Sequence, residues 1–173
     1  QGGYNVWAKE KILYLNSRLI RYPYNPQLRL LMANAYINDG RKFEAKKELY
    51  RALELDSTFA EAYCNLGVVL HSQGYAKEAE KNYEIALSLD STLVQARAGL
   101  GTLLCRSERQ VEGLEHLEAV IRLDPDHRGA LYNMAVAYHQ VEDFKKAIEY
   151  FEDLLQIQAD YPGAMINLAR AYY

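Results

Sequence analysis

Cysteine is scarce, at two in 173 residues, so no disulfide framework is expected. Basic charge is not in excess: 20 Lys and Arg stand against 23 Asp and Glu, a net charge of −3. That balance excludes a simple polyphosphate-binding surface and gives no electrostatic case for a nucleic-acid partner. No apolar run approaches the roughly 18 residues that cross a bilayer, so direct membrane insertion is not expected. Strand-like alternation of apolar and polar residues is also missing. What is present is 50% hydrophobic and 25% charged residues, enough apolar surface for a packed core. Free thiols suit a reducing compartment, which inclines the reading toward a soluble, cytoplasmic setting without fixing it.

The chain repeats itself. Asp56-Ser57-Thr58 returns as Asp90-Ser91-Thr92 and again as Asp124-Pro125-Asp126, each time 34 residues on. Ala45, Ala79, Gly113 and Ala147 form a column of small residues at the same interval, and Leu49, Tyr83, Leu117 and Phe151 follow them as large apolar ones. A third column pairs large with small: Leu66-Gly67, Leu100-Gly101, Met134-Ala135 and Leu168-Ala169.

Each unit reads as two amphipathic helices. Over 60–72, Tyr63, Leu66, Gly67 and Leu70 fall at i, i+3, i+4 and i+7, one helix face. Gly74 and Tyr75 break the pattern, as Gly40 does one repeat earlier. Over 76–89, Ala79, Tyr83, Ala86 and Leu87 make a second stripe, opposite a solvated face of Lys77, Glu78, Glu80, Lys81 and Glu84. Thr58, Thr92 and Asp126 are expected to cap the next helices, and Pro162 to begin another. Two antiparallel helices cross closely only where one side chain is Gly or Ala, with a large residue opposite. Helix pairs this short cannot bury their stripes alone, so they stack and share a core. The expected fold is all-α, a right-handed α-solenoid of stacked antiparallel helix pairs.

These columns resemble the tetratricopeptide repeat (TPR) family, whose period of 34 carries a W-x₂-L-G-x₂-Y…A-x₃-F…P pattern. Residues 60–93 match best, with Tyr63, Leu66, Gly67, Leu70, Ala79, Tyr83 and Ala86; residues 128–161 offer Leu131, Met134, Ala135, Tyr138, Ala147 and Phe151. Residues 26–59 offer Met32, Ala33, Tyr36, Ala45, Leu49 and Ala52. Residues 94–127 diverge, with Arg97 at the aromatic position and Val120 at a small one, yet they alone keep the closing proline, Pro125. The resemblance thus implies four repeats in a TPR superhelix. Residues 4–25 read as an orphan helix with Ile12, Leu15, Leu19 and Ile20 as its stripe, and residues 162–173 as a partial repeat or capping helix. Residues 1–3 read as a tag scar or processed start. Both ends read as cut within a repeat, which suggests a window of a longer protein.

The resemblance also implies a concave groove lined by the first helix of each repeat, where partner peptides are held. Carried over by position, the first repeat supplies Leu30, Asn34 and Ile37, and the second Cys64, Asn65, Val68 and His71. The third supplies Ala98, Thr102, Cys105 and Arg106, the fourth Tyr132, Asn133, Val136 and His139, and the partial fifth Ile166, Asn167 and Arg170. That lining is apolar with few charges, which suits an amphipathic helix or an extended apolar peptide. Tyr132 is the best anchor, with half-buried packing as the plainer reading. Asn34 and Asn65 occupy the two asparagine positions of the clamp by which TPR co-chaperones hold a chaperone's terminal carboxylate. Leu30, Gln95 and Gly99 stand where its cations belong, so the clamp is rejected. Asparagines at 65, 133 and 167 could form a ligand-binding ladder, but asparagine there is also ordinary TPR packing.

No further chemistry stands out. His71, Cys105 and His139 recur at equivalent positions, but stacked helices lie about 8–10 Å apart, too far to converge on one metal ion. Gly99-Leu100-Gly101 lies inside a helix and is packing, not a phosphate loop. No nucleophile and base pair up, so no enzyme, metal or cofactor is expected. The expected function is a non-catalytic adaptor or scaffold for a protein or peptide partner. One alternative is an assembly subunit that docks or self-associates through its ends, with Met165, Leu168 and Tyr172 left without a following helix. The other is the regulatory arm of a larger enzyme.

Overall fold

A computed structural model describes residues 6–172. Residues 1–3, the first two residues of the expected N-terminal helix (Tyr4 and Asn5), and Tyr173 lie outside the described residues. The described residues form α1 (Val6–Arg21), α2 (Pro26–Asn38), α3 (Lys42–Leu55), α4 (Ala60–Ser72) and α5 (Ala76–Leu89). They continue as α6 (Val94–Cys105), α7 (Gln110–Leu123), α8 (Arg128–Gln140), α9 (Phe144–Ile157) and α10 (Ala164–Ala171). Two compact units divide the chain, Gln1–Ala96 and Arg97–Tyr173, with the division inside α6.

Within each unit the architecture is an α-solenoid. In the first, each helix from α1 to α5 packs on the next, and α2 also touches α4. In the second, α7, α8, α9 and α10 pack in the same succession, and α8 touches α10. The small-opposite-large columns explain the close crossings. A Cβ added to Gly67 would lie 2.7 Å from Cε1 of Tyr83, so the phenol ring occupies the space that a side chain at 67 would need. Tyr83 and Phe151 are fully buried between the helices of their pairs.

The turns obey local chemistry. Gly40 and Gly74 follow α2 and α4 in the left-handed region, at φ +75° and +85°. The equivalent residue after α8 is Glu142, at φ +62°, where an L side chain costs about 1–2 kcal/mol. Thr58 and Thr92 are not helix caps. Each donates its hydroxyl and its backbone N–H to the aspartate two residues earlier: Thr58 to Asp56 Oδ1 at 2.7 and 2.9 Å, Thr92 to Asp90 Oδ1 at 2.6 and 2.9 Å. The threonines thereby stand one residue too early, and Phe59 flanks α4 with no side-chain cap. Likewise His127, not Asp126, caps α8, its Nδ1 accepting from the Ala130 N–H at 3.1 Å. Pro162 does not begin α10, which starts at Ala164 after Gly163 at φ +79°.

The N-terminal helix buries Ala8, Ile12, Leu15 and Leu19, the last three against Leu28, Met32 and Ala35 of α2. Ile20, expected on that stripe, is 85% exposed, because it stands about 100° past Leu19 around the helix. Periodicity also gave no sign of an ion triad between α2 and α3. Glu48 accepts from Arg29 Nη1 at 2.8 Å and from Arg51 Nη1 at 2.5 Å, while Arg29 Nη2 donates to the Pro23 carbonyl at 3.1 Å.

Candidate functional site

The residues expected to line a groove come from α2 and α4 in the first unit and from α6, α8 and α10 in the second. On α2, Leu30, Asn34 and Ile37 are half-buried, one turn or two apart on one face. On α4, Asn65 and His71 are half-buried and Val68 is exposed. Cys64 is a correction: it is 1% exposed, buried in the core and unavailable to a ligand. In the second unit Ala98, Thr102, Tyr132, Asn133, Val136, His139 and Asn167 are half-buried, while Arg106, Ile166 and Arg170 are exposed. Cys105 is the second correction, at 4% exposure beneath Gly113 of α7, whose missing side chain lets the two helices touch.

Burial has a chemical consequence for both thiols. Desolvation of the thiolate pushes Cys64 up to about 12 and Cys105 up to about 11, so neither is a nucleophile near neutrality. Among the described residues, no three His, Cys, Asp or Glu side chains are placed to hold a metal ion. Among the same residues, no helix is long and apolar enough to cross a membrane.

The asparagines are engaged with neighbouring helices. Asn65 Nδ2 donates to Asn34 Oδ1 at 2.8 Å, tying α4 to α2. Asn133 Nδ2 donates to Thr102 Oγ1 at 3.0 Å and to the Gly129 carbonyl at 2.7 Å, tying α8 to α6. Asn167 Nδ2 donates to the Tyr132 hydroxyl at 3.1 Å, tying α10 to α8. These bonds fix the stacking of first helices, which is the packing reading of the asparagine column. The two clamp asparagines bond one another.

Tyr132 is held on several sides. Its ring stands edge-on to Phe151 with centroids 6.1 Å apart and tilts against Tyr161 at 5.3 Å. With Leu131, Ala135, Leu154 and Ala164 nearby, it belongs to the apolar cluster of the second unit. Beside it α8, α9 and α10 enclose a cleft of about 160 Å³ lined by Val136, His139, Gln140, Phe151, Asn167 and Arg170. Val136 gives it an apolar floor with the buried Phe151 beneath; the other four give it polar walls. Four of the expected groove residues, Val136, His139, Asn167 and Arg170, therefore meet around one opening.

At α10, Met165 and Tyr172 are exposed, 65% and 59%, and the Tyr172 hydroxyl donates to Glu152 at 2.7 Å. Leu168, on the same side of the helix at i+3 from Met165, is half-buried and packs on the apolar cluster.

Two larger open clefts lie elsewhere, on residues that the groove reading passes over. One of about 470 Å³ is lined by Tyr50, Leu53 and Glu54 of α3, Tyr63 and Leu66 of α4, and Lys81, Asn82 and Ile85 of α5. Another, of about 440 Å³, runs along α3 between Phe43 and Glu54. The signal in the sequence was Phe43 and Tyr50, apolar residues seven apart on the face of α3 that should be solvated.

Comparison with known proteins gives a consistent picture. Sequence profiles described as "TPR repeat" and "Tetratricopeptide repeat" match residues 33–74, 60–93 and 99–164. No curated protein matches the sequence. Among solved structures, the chain is similar to YrrB, described as a TPR protein with an unusual peptide-binding site, at 25% identity and a TM-score of 0.72. That likeness covers 96% of this chain and 84% of the other. It is also similar to pilF of Pseudomonas aeruginosa, at 26% identity over 86% of this chain and 68% of that one, TM-score 0.77. A chain of the APC/C hetero-tetramer Cut9–Hcn1 shares the fold at 15% identity, covering 95% of this chain and 33% of that one, TM-score 0.89.

Proposed function

The chain belongs to the tetratricopeptide repeat family, and we propose that it is a non-catalytic scaffold that holds a peptide or helix of a partner protein against its first helices. The repeat division at 26–59, 60–93, 94–127 and 128–161, with flanking helices at 4–25 and 162–173, belongs to the same reading. The observation that carries it is the cleft between α8, α9 and α10. Its apolar floor at Val136 covers one face of an apolar anchor, a part of the roughly 1.5–3 kcal/mol that full burial of a Val, Leu or Phe side chain is worth. Its walls suit the peptide around that anchor: Arg170 takes a carboxylate or a backbone carbonyl, and the amides of Gln140 and Asn167 take backbone groups. The likeness to YrrB, described as having a peptide-binding site, supports a peptide as the ligand.

The test is a phage-displayed peptide library panned on the wild-type chain, with recovered peptides titrated against Val136→Glu and Arg170→Glu. Arg170 is exposed, so its variant keeps the fold if Val136→Glu does not. Affinity is expected to fall at least tenfold in both. Peptides that bind all three proteins equally would sink the proposal.

A second reading rests on the exposed Met165 of α10 and Tyr172 just after it, an apolar face that could seat a second copy or a neighbouring subunit. Sedimentation equilibrium over a hundredfold concentration range tests it. A mass that rises with concentration, and falls back in Met165→Asp, is its expected signature.

A further inference from the structure

The face of α3 combines apolar exposure with local positive charge. Phe43 is 72% exposed and Tyr50 48% exposed, one face apart by two turns, and both line clefts that share Tyr50 and Glu54. At about 470 and 440 Å³ the clefts fall within the range of sites that seat side chains or small ligands. Tyr63, Leu66 and Ile85 give the larger one an apolar floor. A surface with two such openings and two exposed rings suits a partner that would remove its water.

Charge says which partner. The chain carries −3 as a whole, yet Lys46, Lys47, Arg51 and Lys81 line these clefts against one carboxylate, Glu54. Arg51 is answered by Glu48, and Lys46 lies 5.9 Å from the centroid of the Tyr75 ring. Among the described residues, Lys47 and Lys81 have no ion-pair partner. Two lysines held in no ion pair at the rim of an apolar cleft disfavour a basic ligand and favour an acidic one.

We infer that the α3 face is a second docking surface, which seats an acidic segment of another protein with a large apolar side chain beside Tyr50. The aliphatic stems of the lysines extend the apolar wall while their ammonium groups meet Asp or Glu on the ligand. This surface lies on α3, α4 and α5, so it stands or falls separately from the cleft of the second unit.

The probe is a fluorescein-labelled peptide of Asp and Glu around a central Trp, titrated by anisotropy at low and at moderate salt. Controls replace its acids by Lys, or its Trp by Ser. The acidic Trp peptide is expected to saturate at micromolar protein and to weaken as salt rises, with both controls at least tenfold weaker. Lys47→Glu with Lys81→Glu, and separately Tyr50→Ser, should each weaken it tenfold or more, whereas Arg170→Glu leaves it unchanged. Lysine reversal touches exposed side chains only, so retained helicity by circular dichroism is expected alongside the loss. Equal binding of the Lys peptide, indifference to the lysine reversal, or no saturation below millimolar protein would overturn the inference. So would sedimentation showing that Tyr50→Ser dissociates a dimer, since the occupant would then be a second copy.

Discussion

An alanine at position 113 would put its methyl carbon 2.5 Å from the Cys105 amide nitrogen, 2.7 Å from Cys105 Sγ and 2.8 Å from the Gly101 carbonyl oxygen. Two of those three neighbours are backbone atoms of α6, so no side-chain rotation relieves them. Ordinary contact begins at 3.4 Å, and α6 and α7 must part by roughly 1 Å to restore it. Overpacking of that kind costs about 1–3 kcal/mol. Against it stands the helix preference for Ala over Gly, about 1 kcal/mol in an interior position. The clash exceeds the propensity, because parting the helices also loosens Leu117 and Cys105, both fully packed at this crossing. Gly113→Ala is therefore expected to destabilise by up to about 2 kcal/mol, a fall of up to roughly 8 °C in Tm for a chain of this size. Gly129→Ala is the control, since its Cβ would come no nearer than 3.5 Å to His127, an ordinary contact. Urea unfolding followed by circular dichroism at 222 nm compares the two. A Gly113 variant that gains stability like an unhindered helix position would refute the reasoning about close approach.

Glu142→Gly should stabilise the chain by about 0.5–1 kcal/mol in the same assay, because relief of the left-handed φ exceeds the entropy that glycine adds to the unfolded state. Glu48→Ala should cost about 2–3 kcal/mol by leaving Arg29 unpaired, its Nε already lacking a partner among the described residues, and Arg29→Met with Glu48→Met should recover most of it. His116 is held below its ordinary 6.5 by burial first and by the Arg97 charge second. Its folded state thus binds a proton less readily than its unfolded state, so stability should fall as pH drops below about 6.5; a urea midpoint that falls as much in His116→Gln as in wild type between pH 8 and pH 5.5 would contradict this.

Much of the fold was legible because it recurs. The stripes at 60–72 and 76–89 coincide with α4 and α5, and Tyr83 against Gly67 is the packing that the columns imply. What occurs once escaped the period. Arg29 and Glu48 form a charged contact between α2 and α3, whereas the equivalent positions hold Tyr63 with Asn82 and Arg97 with His116. Arg97 raises the cost of protonating His116 where Arg29 meets a carboxylate, so one pair of positions serves opposite electrostatics. Single-residue geometry was also beyond the pattern. Thr58 satisfies Asp56 in a turn instead of a helix end, and Ile20 turns outward one position after Leu19.

The candidate site was legible by position more than by chemistry. Transferring repeat positions picked Val136, His139, Asn167 and Arg170, which line one cleft, but also the buried Cys64 and Cys105, because a residue's place on a helix does not tell how close the neighbouring helix stands. Gly113 is the reason in the second unit: without a side chain there, α7 covers Cys105. Tyr132, by position an anchor, is spent on Phe151, Tyr161 and Asn167. The α3 face was passed over because exposed Phe43 and Tyr50 sit where repeat logic assigns solvent.

The central claim is that a partner peptide binds in the cleft between α8, α9 and α10. The direct measurement is an amide-shift titration of the isotopically labelled chain with a peptide recovered from the library. Saturable shifts concentrated at Val136, His139, Gln140, Asn167 and Arg170, absent in Arg170→Glu, are the expected result. Shifts confined to other helices, with these residues unmoved at saturation, would contradict it.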